Sequence, residues 1–165
     1  MRREKLDRID LRILRDLQDD GRITNVQLAR KAGISAPPCL RRVRALEQAG
    51  YIRGYHAAVD SRKLGYDVSF FALIGLDSQA ANVLEEFEAL MERWPEVREC
   101  HMLRGPADFA LRLVARDTEH ENELTARLTA APHVETVQTL QVIRTAKERP
   151  GVPVRAELAA LETQQ

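Results

Sequence analysis

The 165-residue sequence predicts an α+β protein in which three short helices precede a segment of four strands and two helices. Up to about residue 50, apolar residues recur at helical spacing between capping residues and glycines. From residue 67 onward, short apolar runs typical of strands alternate with two amphipathic helices. Residues 1–66 contain 15 Lys and Arg against 8 Asp and Glu, whereas residues 67–165 contain 10 against 17. The two parts therefore have opposite charge.

The first two helices are bounded by recognisable caps. Asp7 is predicted to begin the first helix and Gly21 to end it. Thr24 and Gln27 form a capping box for the second helix, which ends at Gly33. The residues predicted to face inward are Ile9, Ile13, Leu14 and Leu17 in the first helix and Leu28, Ala29 and Ala32 in the second.

The third helix follows a Gly-Ile-Ser turn and carries arginines on its outer face. Ser35 is predicted to cap it through its hydroxyl, and the two prolines after it fit the first turn, where a missing N–H costs little. At about 100° per residue, the core side holds Cys39, Leu40, Val43, Leu46 and Gly50. The opposite side holds Pro37, Arg41, Arg44 and Gln48, flanked by Pro38, Ala45 and Arg42.

Helices two and three have the pattern of a helix-turn-helix, whose second helix enters the major groove of double-stranded DNA. Arginines there suit contacts to phosphates and to guanine. The predicted DNA-binding residues are Gln27, Ser35, Ala36, Pro37, Pro38, Arg41, Arg42 and Arg44. The alternative is an ordinary solvated helix face. Three arginines with only one acidic neighbour, Glu47, make that alternative less favourable. Residues 51–60 are strand-like, and a short strand pair there would make the motif winged.

The second part has the order strand, helix, strand, strand, helix, strand, which is the ferredoxin-like βαββαβ arrangement. The predicted elements are a strand over 67–77, a helix over 80–94, strands over 97–103 and 107–115, a helix opened by a Thr118–Glu121 capping box, and a strand over 134–143. Both helices must cover one face of the sheet. Because three strands carry apolar residues on both faces, we expect the other face to associate with a second copy.

These residues resemble the leucine-responsive regulator family, Lrp/AsnC, of transcription factors. The resemblance covers about residues 5–146 and rests on motifs in family order. They are Leu6-Asp7-Arg8-Ile9-Asp10, Asp20-Gly21-Arg22-Ile23, Leu28-Ala29, Gly33-Ile34-Ser35, Pro38-Cys39-Leu40-Arg41-Arg42-Val43, Leu46-Glu47, Gly50-Tyr51-Ile52, Glu99-Cys100-His101, Gly105 and Asp108-Phe109.

The resemblance implies a homo-oligomer, a dimer that often assembles into tetramers, octamers or larger discs. It also implies an amino acid or related metabolite bound between effector domains and no other cofactor. The family's ligand loop maps onto Leu103, Arg104, Gly105, Pro106, Ala107 and Asp108. Gly105 would allow close approach of the backbone to a ligand, and Asp108 would receive an α-amino group.

The loop departs from the family pattern at two positions. Members often have an acidic or polar residue in place of Pro106 and an aromatic one in place of Ala107, so leucine as the ligand does not follow. The alternative interpretations are a plain turn between strands for the loop, and a carboxylate in a turn or ion pair for Asp108.

The domain boundaries that follow are a helix-turn-helix domain over 1–53, a strand and hinge linker over 54–66, a ferredoxin-like ligand-binding and oligomerisation domain over 67–146, and a tail over 147–165. No apolar stretch is long enough to span a membrane, and no signal peptide is recognisable. Cys39 and Cys100 lack the spacing of metal ligands, and Cys39 is predicted to be a buried structural thiol. We expect a cytoplasmic, nucleoid-associated protein.

Three functions are compared. The first is a transcriptional regulator that responds to an amino acid, and the second is an architectural DNA-binding protein without a ligand. The third is an enzyme, because small ferredoxin-like dimers include monooxygenases. The candidate catalytic groups, His56, His101, His120 and His133, are scattered, and no nucleotide-binding, hydrolase or metal motif accompanies them, which favours structural histidines and a protein that is not an enzyme.

Overall fold

Three α-helices begin the structure, a computed structural model that describes residues 6–154. They are α1 (Arg8–Asp19), α2 (Asn25–Ala32) and α3 (Ala36–Gln48). Asp7 caps α1, and Thr24 with Gln27 forms the expected capping box of α2. Gly33 ends α2 in the left-handed conformation, with φ of 78°. The helices enclose a core of Ile13, Leu28, Ala29, Ala32, Cys39 and Leu46, so Cys39 is the buried thiol that the sequence predicted.

Three details of these helices differ from the sequence prediction. The first helix ends at Asp19 with Asp20 as its C-cap, two residues before Gly21. Leu40, predicted to face the core, is 39% exposed. Ser35 is the N-cap of α3 by position, but its hydroxyl accepts no capping hydrogen bond. A capping oxygen bonds to the N–H of the second or third helical residue, and in α3 these are prolines, which have no N–H.

The predicted strand over residues 51–60 does not form. Between α3 and the first strand of the sheet, the structure has one turn of 3-10 helix (Arg62–Leu64) and no hydrogen-bonded strand. A strand needs a second segment to satisfy its N–H and C=O groups, and none among residues 6–154 pairs with this one. Tyr55 instead donates its hydroxyl to Glu47 at 3.0 Å.

The second part of the chain is a four-stranded antiparallel sheet with two helices. In chain order it contains β1 (Val68–Leu76), α4 (Ala81–Glu92), β2 (Val97–Met102), β3 (Phe109–Ala115), α5 (Thr118–Thr129) and β4 (Val134–Gln141). The strand order β2-β3-β1-β4 is that of a ferredoxin-like fold. The cap of α5 is Asp117, which accepts the N–H of His120, and not Thr118 as the sequence suggested.

The sheet register separates a covered face from an open one. On the covered face Ala72 lies opposite Leu111, and on the open face Phe71 lies opposite Arg112. Both helices pack on the covered face, as predicted, around a core formed by Phe70, Ala72, Ile74, Leu76, Val83, Phe87, Met91, Trp94, Phe109, Leu111, Leu113, Ala115, Leu124 and Leu128.

The described chain divides into two compact units. Val59–Ala146 form one, and residues 6–58 together with residues 147–154 form the other. Val154 is buried against Leu11 of α1, so the described end of the tail packs within the helical unit. None of the helices in residues 6–154 has both the length and the apolar character needed to cross a membrane.

Candidate nucleic-acid interface and effector loop

The outer face of α3 is basic and accessible. Arg41 and Arg44 are exposed and have no ion pair within residues 6–154. They are three residues apart, so their side chains leave the same face of the helix. Pro37 and Gln48, predicted for that face, are exposed as well. A rigid helix with two free guanidinium groups on one side can bind phosphates or the acceptor edge of guanine.

Arg42 is placed differently from its two neighbours. Its Nη1 lies 2.7 Å from Asp7 Oδ2 and 2.7 Å from Asp10 Oδ1. Hydrogen bonds to Asp10 and Asp7 raise the pKa of Arg42. Burial raises the pKa of Asp7, but hydrogen bonds from the Asp10 backbone and from Arg42 outweigh that effect and lower it overall. The guanidinium of Arg42 is thus held within the protein between two carboxylates.

The turn before α3 is fixed by a residue that sequence reasoning missed. Asn25, the first residue of α2, donates its Nδ2 to the Ala36 carbonyl at 2.8 Å. Its Oδ1 is buried and has no hydrogen-bond partner among the described residues. The bond connects the first turns of α2 and α3. Its sequence signal was a polar residue directly after the Thr24 cap, which is too common to be diagnostic.

The other predicted interface residues lie around this turn. Ser35 is exposed, whereas Ala36 and Pro38 are half-buried. Gln27 is exposed, and its Oε1 accepts the Thr24 backbone N–H at 3.1 Å and the Thr24 hydroxyl at 2.9 Å. The capping box therefore occupies the carbonyl end of Gln27 and leaves its amide nitrogen as the group that can reach a ligand.

Residues 103–108 form a closed turn between β2 and β3. Leu103 donates its N–H to the Asp108 carbonyl at 2.7 Å, and Asp108 donates its own to Ile74 at 2.8 Å. Leu103, Arg104, Gly105 and Pro106 are exposed, and Ala107 is half-buried. A Cβ added at Gly105 would meet no heavy atom within 4 Å. A ligand atom could therefore approach the Gly105 backbone closely.

The carboxylate of Asp108 has two partners within the protein. Oδ2 accepts the Leu76 N–H at 2.7 Å, and Oδ1 accepts Gln79 Nε2 at 2.9 Å. The half-buried Asp108 side chain therefore ties the end of β1 to the start of β3. Each carboxylate oxygen has a further lone pair, so a ligand ammonium group can add to these contacts.

The four histidines do not form a common site. His101 Nε2 lies 3.2 Å from Glu99 Oε2, His120 Nδ1 accepts the Arg116 N–H, and His133 Nδ1 lies 3.0 Å from Asp77 Oδ1. Within residues 6–154, no group of three or more His, Cys, Asp or Glu side chains is arranged to hold a metal ion.

A cavity of about 580 Å³ lies between α4 and the edge strand β2. Its lining includes Glu88, Trp94 and Cys100 but none of residues 103–108. Burial, reinforced by the negative charge of Glu88, raises the pKa of the Cys100 thiol to about 11. A thiol that stays protonated at neutral pH is a poor nucleophile and a poor metal ligand.

The open face of the sheet is more polar than predicted. Arg112 donates its Nε to Glu99 at 2.7 Å, and His101 lies on the other oxygen of the same carboxylate. These charges occupy β2 and β3, whereas the apolar side chains lie nearer β4. Phe71 is 40% exposed and Leu140 opposite it is 47% exposed. The face therefore carries an apolar strip beside a charged cluster.

Comparison with known proteins identifies both units. Residues 6–53 match the family model described as winged helix-turn-helix DNA-binding, and residues 69–152 match the one described as the Lrp/AsnC ligand binding domain. The chain belongs to the Lrp/AsnC family. As a member, it is a transcriptional regulator with a DNA-binding helix-turn-helix and a ligand-binding domain.

Curated and solved relatives agree with this membership. The chain is 50% identical to a leucine-responsive regulatory protein of Rhizobium meliloti, over 88% of this chain and 94% of that protein. It is 39% identical to the Bkd operon transcriptional regulator of Pseudomonas aeruginosa, over 91% and 99%. A transcriptional regulator of Neisseria meningitidis solved in complex with L-Met superposes with a TM-score of 0.86 at 30% identity, covering 93% and 99% of the two chains.

Proposed function

We propose that this Lrp/AsnC member binds specific DNA sequences through α3 and responds to an amino acid or a related metabolite. The observation that carries the DNA-binding assignment is the accessibility of Arg41 and Arg44 on the outer face of α3. Both guanidinium groups are available for phosphates or guanine. The alternative function, an architectural DNA-binding protein without a ligand, uses the same helix and differs only in the second domain.

The proposed DNA interface extends from α3 to the turn before it. Arg41 and Arg44 supply the charged contacts, and the Gln27 amide nitrogen is available beside them. The small residues Ser35 and Ala36 and the two prolines, Pro37 and Pro38, allow the duplex to come close to the helix N-terminus. Because the prolines have no N–H, a phosphate there would be favoured mainly by the helix dipole and not by a set of backbone N–H groups.

The proposed effector site is the loop Leu103, Arg104, Gly105, Pro106, Ala107 and Asp108, at an interface between ligand-binding domains of two copies. Two facts support an amino-acid effector: the matched domain is of the ligand-binding type, and the Neisseria relative was solved with L-Met. Asp108 would hold the α-amino group through its remaining lone pairs while keeping its bonds to Leu76 and Gln79.

The proposed assembly is a dimer formed through the open sheet face, with further association into tetramers or octamers. Phe71 and Leu140 leave an apolar strip on that face, with Leu73 beside it. Exposed apolar strips on a sheet favour association. A dimer also supplies two recognition helices, which two half-sites one turn of DNA apart require.

The DNA-binding proposal is tested with duplexes that the wild-type protein selects from a random library. Arg41→Ala and Arg44→Ala should each weaken binding by about 5- to 150-fold, since each lost contact is worth about 1–3 kcal/mol. Arg116→Ala, an exposed arginine of the ligand-binding domain, should leave binding unchanged. Equal affinities for all four proteins would remove α3 from the interface.

The effector proposal is tested by a thermal-shift screen of the full chain against the twenty amino acids and common keto acids. A bound compound raises the melting temperature because it binds only the folded state. The same compound should shift the melting temperature of Gly105→Val less, since the added side chain fills the open space of the loop. No shift with any compound, in a protein that still selects DNA, would favour the architectural function.

A further inference from the structure

We propose that Arg42 is a positioning residue that fastens the recognition helix α3 to the N-terminal cap of α1. It would thereby set the direction in which Arg41 and Arg44 meet the duplex. Sequence reasoning placed Arg42 among the DNA contacts. The new role rests on the proposed DNA-binding function of α3 but assigns this arginine no contact with DNA.

The two acceptors of Arg42 are themselves held in place. Asp7 Oδ1 accepts the backbone N–H groups of Ile9 and Asp10 at 2.8 and 2.9 Å, while Asp7 Oδ2 receives Arg42. Asp10 Oδ2 accepts the Asp7 N–H at 3.1 Å, while Asp10 Oδ1 receives Arg42. Each carboxylate thus uses one oxygen to cap α1 and the other to bind α3, so the start of α1 is a rigid anchor.

The electrostatics argue against a phosphate on Arg42. Its one positive charge lies between two carboxylates at 2.7 Å each, so the cluster has a net negative charge. A phosphate approaching that guanidinium would be repelled by both aspartates at close range. Arg41 and Arg44 have no such carboxylates among the described residues.

The contact matters for orientation more than for folding. The Arg42 and Asp7 side chains are 35% and 49% exposed, and ion pairs at that exposure add little to stability. The apolar core of Ile13, Cys39 and Leu46 already holds α3 in the unit. Such a core restricts sliding less than a directional, charge-assisted pair does, because apolar contacts have no preferred angle.

The salt dependence of binding separates the two roles. Each phosphate contact contributes about 0.9 to the slope of log K against log salt concentration, because it releases counterions. Arg42→Ala should weaken binding to the selected duplex about fivefold and leave that slope unchanged. It should also reduce the ratio of the affinity for the selected duplex to the affinity for a scrambled duplex. A slope reduced by about one, with both duplexes weakened equally, would show a phosphate contact and overturn the proposal.

The Asp10→Asn variant also separates the two roles of Arg42, because positioning of α3 and direct contact with DNA predict opposite changes in affinity for the selected duplex. If Arg42 positions α3, weakening one of its two ion pairs should weaken binding to the selected duplex, but by less than Arg42→Ala does, because the pair with Asp7 remains. If Arg42 contacts DNA, removing a competing carboxylate should leave binding unchanged or strengthen it. The double variant Arg42→Ala/Asp10→Asn should bind no more weakly than Arg42→Ala alone, since Asp10 acts on α3 only through Arg42. Asp67→Asn, at an exposed position in the other unit, is the matched control.

All variants are compared at a temperature where circular dichroism shows each to be folded, so that a loss of binding is not a loss of structure. If the wild-type protein selects no duplex, the DNA-binding function fails, and with it the role of Arg42. If Arg41→Ala and Arg44→Ala lose affinity while Arg42→Ala and Asp10→Asn do not, only the positioning role fails.

Discussion

The side-chain amide of Gln18 pairs with the backbone of Val152 in both directions. Gln18 Nε2 donates to the Val152 carbonyl at 2.7 Å, and the Val152 N–H donates to Gln18 Oε1 at 3.1 Å. Two residues further on, Val154 is buried against Leu11 of the same helix. A segment that follows the sheet unit Val59–Ala146 in sequence is thereby bound to the first helix of the helical unit.

Gly151→Ala is predicted to detach this segment. Gly151 has φ of 76°, and an added Cβ would overlap the Gln18 amide. The matched control is Gly50→Ala, since Gly50 also has φ of 76° but nothing within 4 Å of an added Cβ. Both variants should lose about 1–2 kcal/mol from left-handed backbone strain, but only Gly151→Ala should speed hydrogen exchange at the Val152 N–H. Equal hydrogen-exchange rates at the Val152 N–H in the two variants would contradict the Gln18–Val152 contact.

Asn25→Ala is predicted to lower the free energy of unfolding by about 1 kcal/mol and to weaken DNA binding. The change removes the hydrogen bond from Asn25 Nδ2 to the Ala36 carbonyl, and a single hydrogen bond contributes about 1 kcal/mol. Urea unfolding and binding to the selected duplex measure the two effects. Asn82→Ala, at an exposed position of α4, is the control. A stability loss with unchanged binding would show that this bond does not orient α3.

Asp108→Ala is predicted to destabilise the ligand-binding domain by about 1–3 kcal/mol, because it leaves the Leu76 N–H without an acceptor. Asp108→Asn keeps one oxygen for Leu76 and should cost less, since the Gln79 amide can rotate to match it. Urea unfolding measures the free energy of unfolding of wild type, Asp108→Ala and Asp108→Asn. Asp67→Ala, at an exposed position, is the control. Equal stability of Asp108→Ala and wild type would show that the bonds to Leu76 and Gln79 do not stabilise the fold.

Glu99→Gln is predicted to lower stability slightly at neutral pH and to make stability depend less on pH in the acid range. Hydrogen bonds from Arg112, and secondly from His101, lower the pKa of Glu99 below its ordinary 4.5. The ionised pair therefore contributes fully above about pH 4.5, and its contribution is lost as pH falls through the lowered folded pKa.

At neutral pH the Glu99→Gln change should cost at most about 1 kcal/mol, because the carboxylate is half exposed. The decline of the melting temperature below pH 4.5 should be shallower than in wild type. Glu85→Gln, at an exposed position of α4, should follow the wild-type curve. A variant with the wild-type acid decline would show that this pair does not couple to folding.

The sequence alone determined the three N-terminal helices, the strands and helices of the ferredoxin-like unit, and most of their ends, but it wrongly predicted a strand over residues 51–60. Helical spacing, Asp7, the Thr24–Gln27 box and Gly33 are local signals, and local backbone chemistry decides where a helix begins and ends. The same holds for the ferredoxin-like order of strands and helices, which follows from apolar periodicity. Three local signals were misread: Gly21, Thr118 and Ser35. The third error was already legible in the sequence, because Pro37 and Pro38 leave Ser35 no N–H to cap.

Only the tertiary structure decided what each polar side chain binds. Arg42 belongs to the basic face by its position in α3, yet Asp7 and Asp10, more than thirty residues earlier, take its guanidinium. Gln18 is 134 residues from its partner Val152. Periodicity places a side chain on a face of its own element, but it does not state which distant group that face meets, because that depends on how the elements pack together.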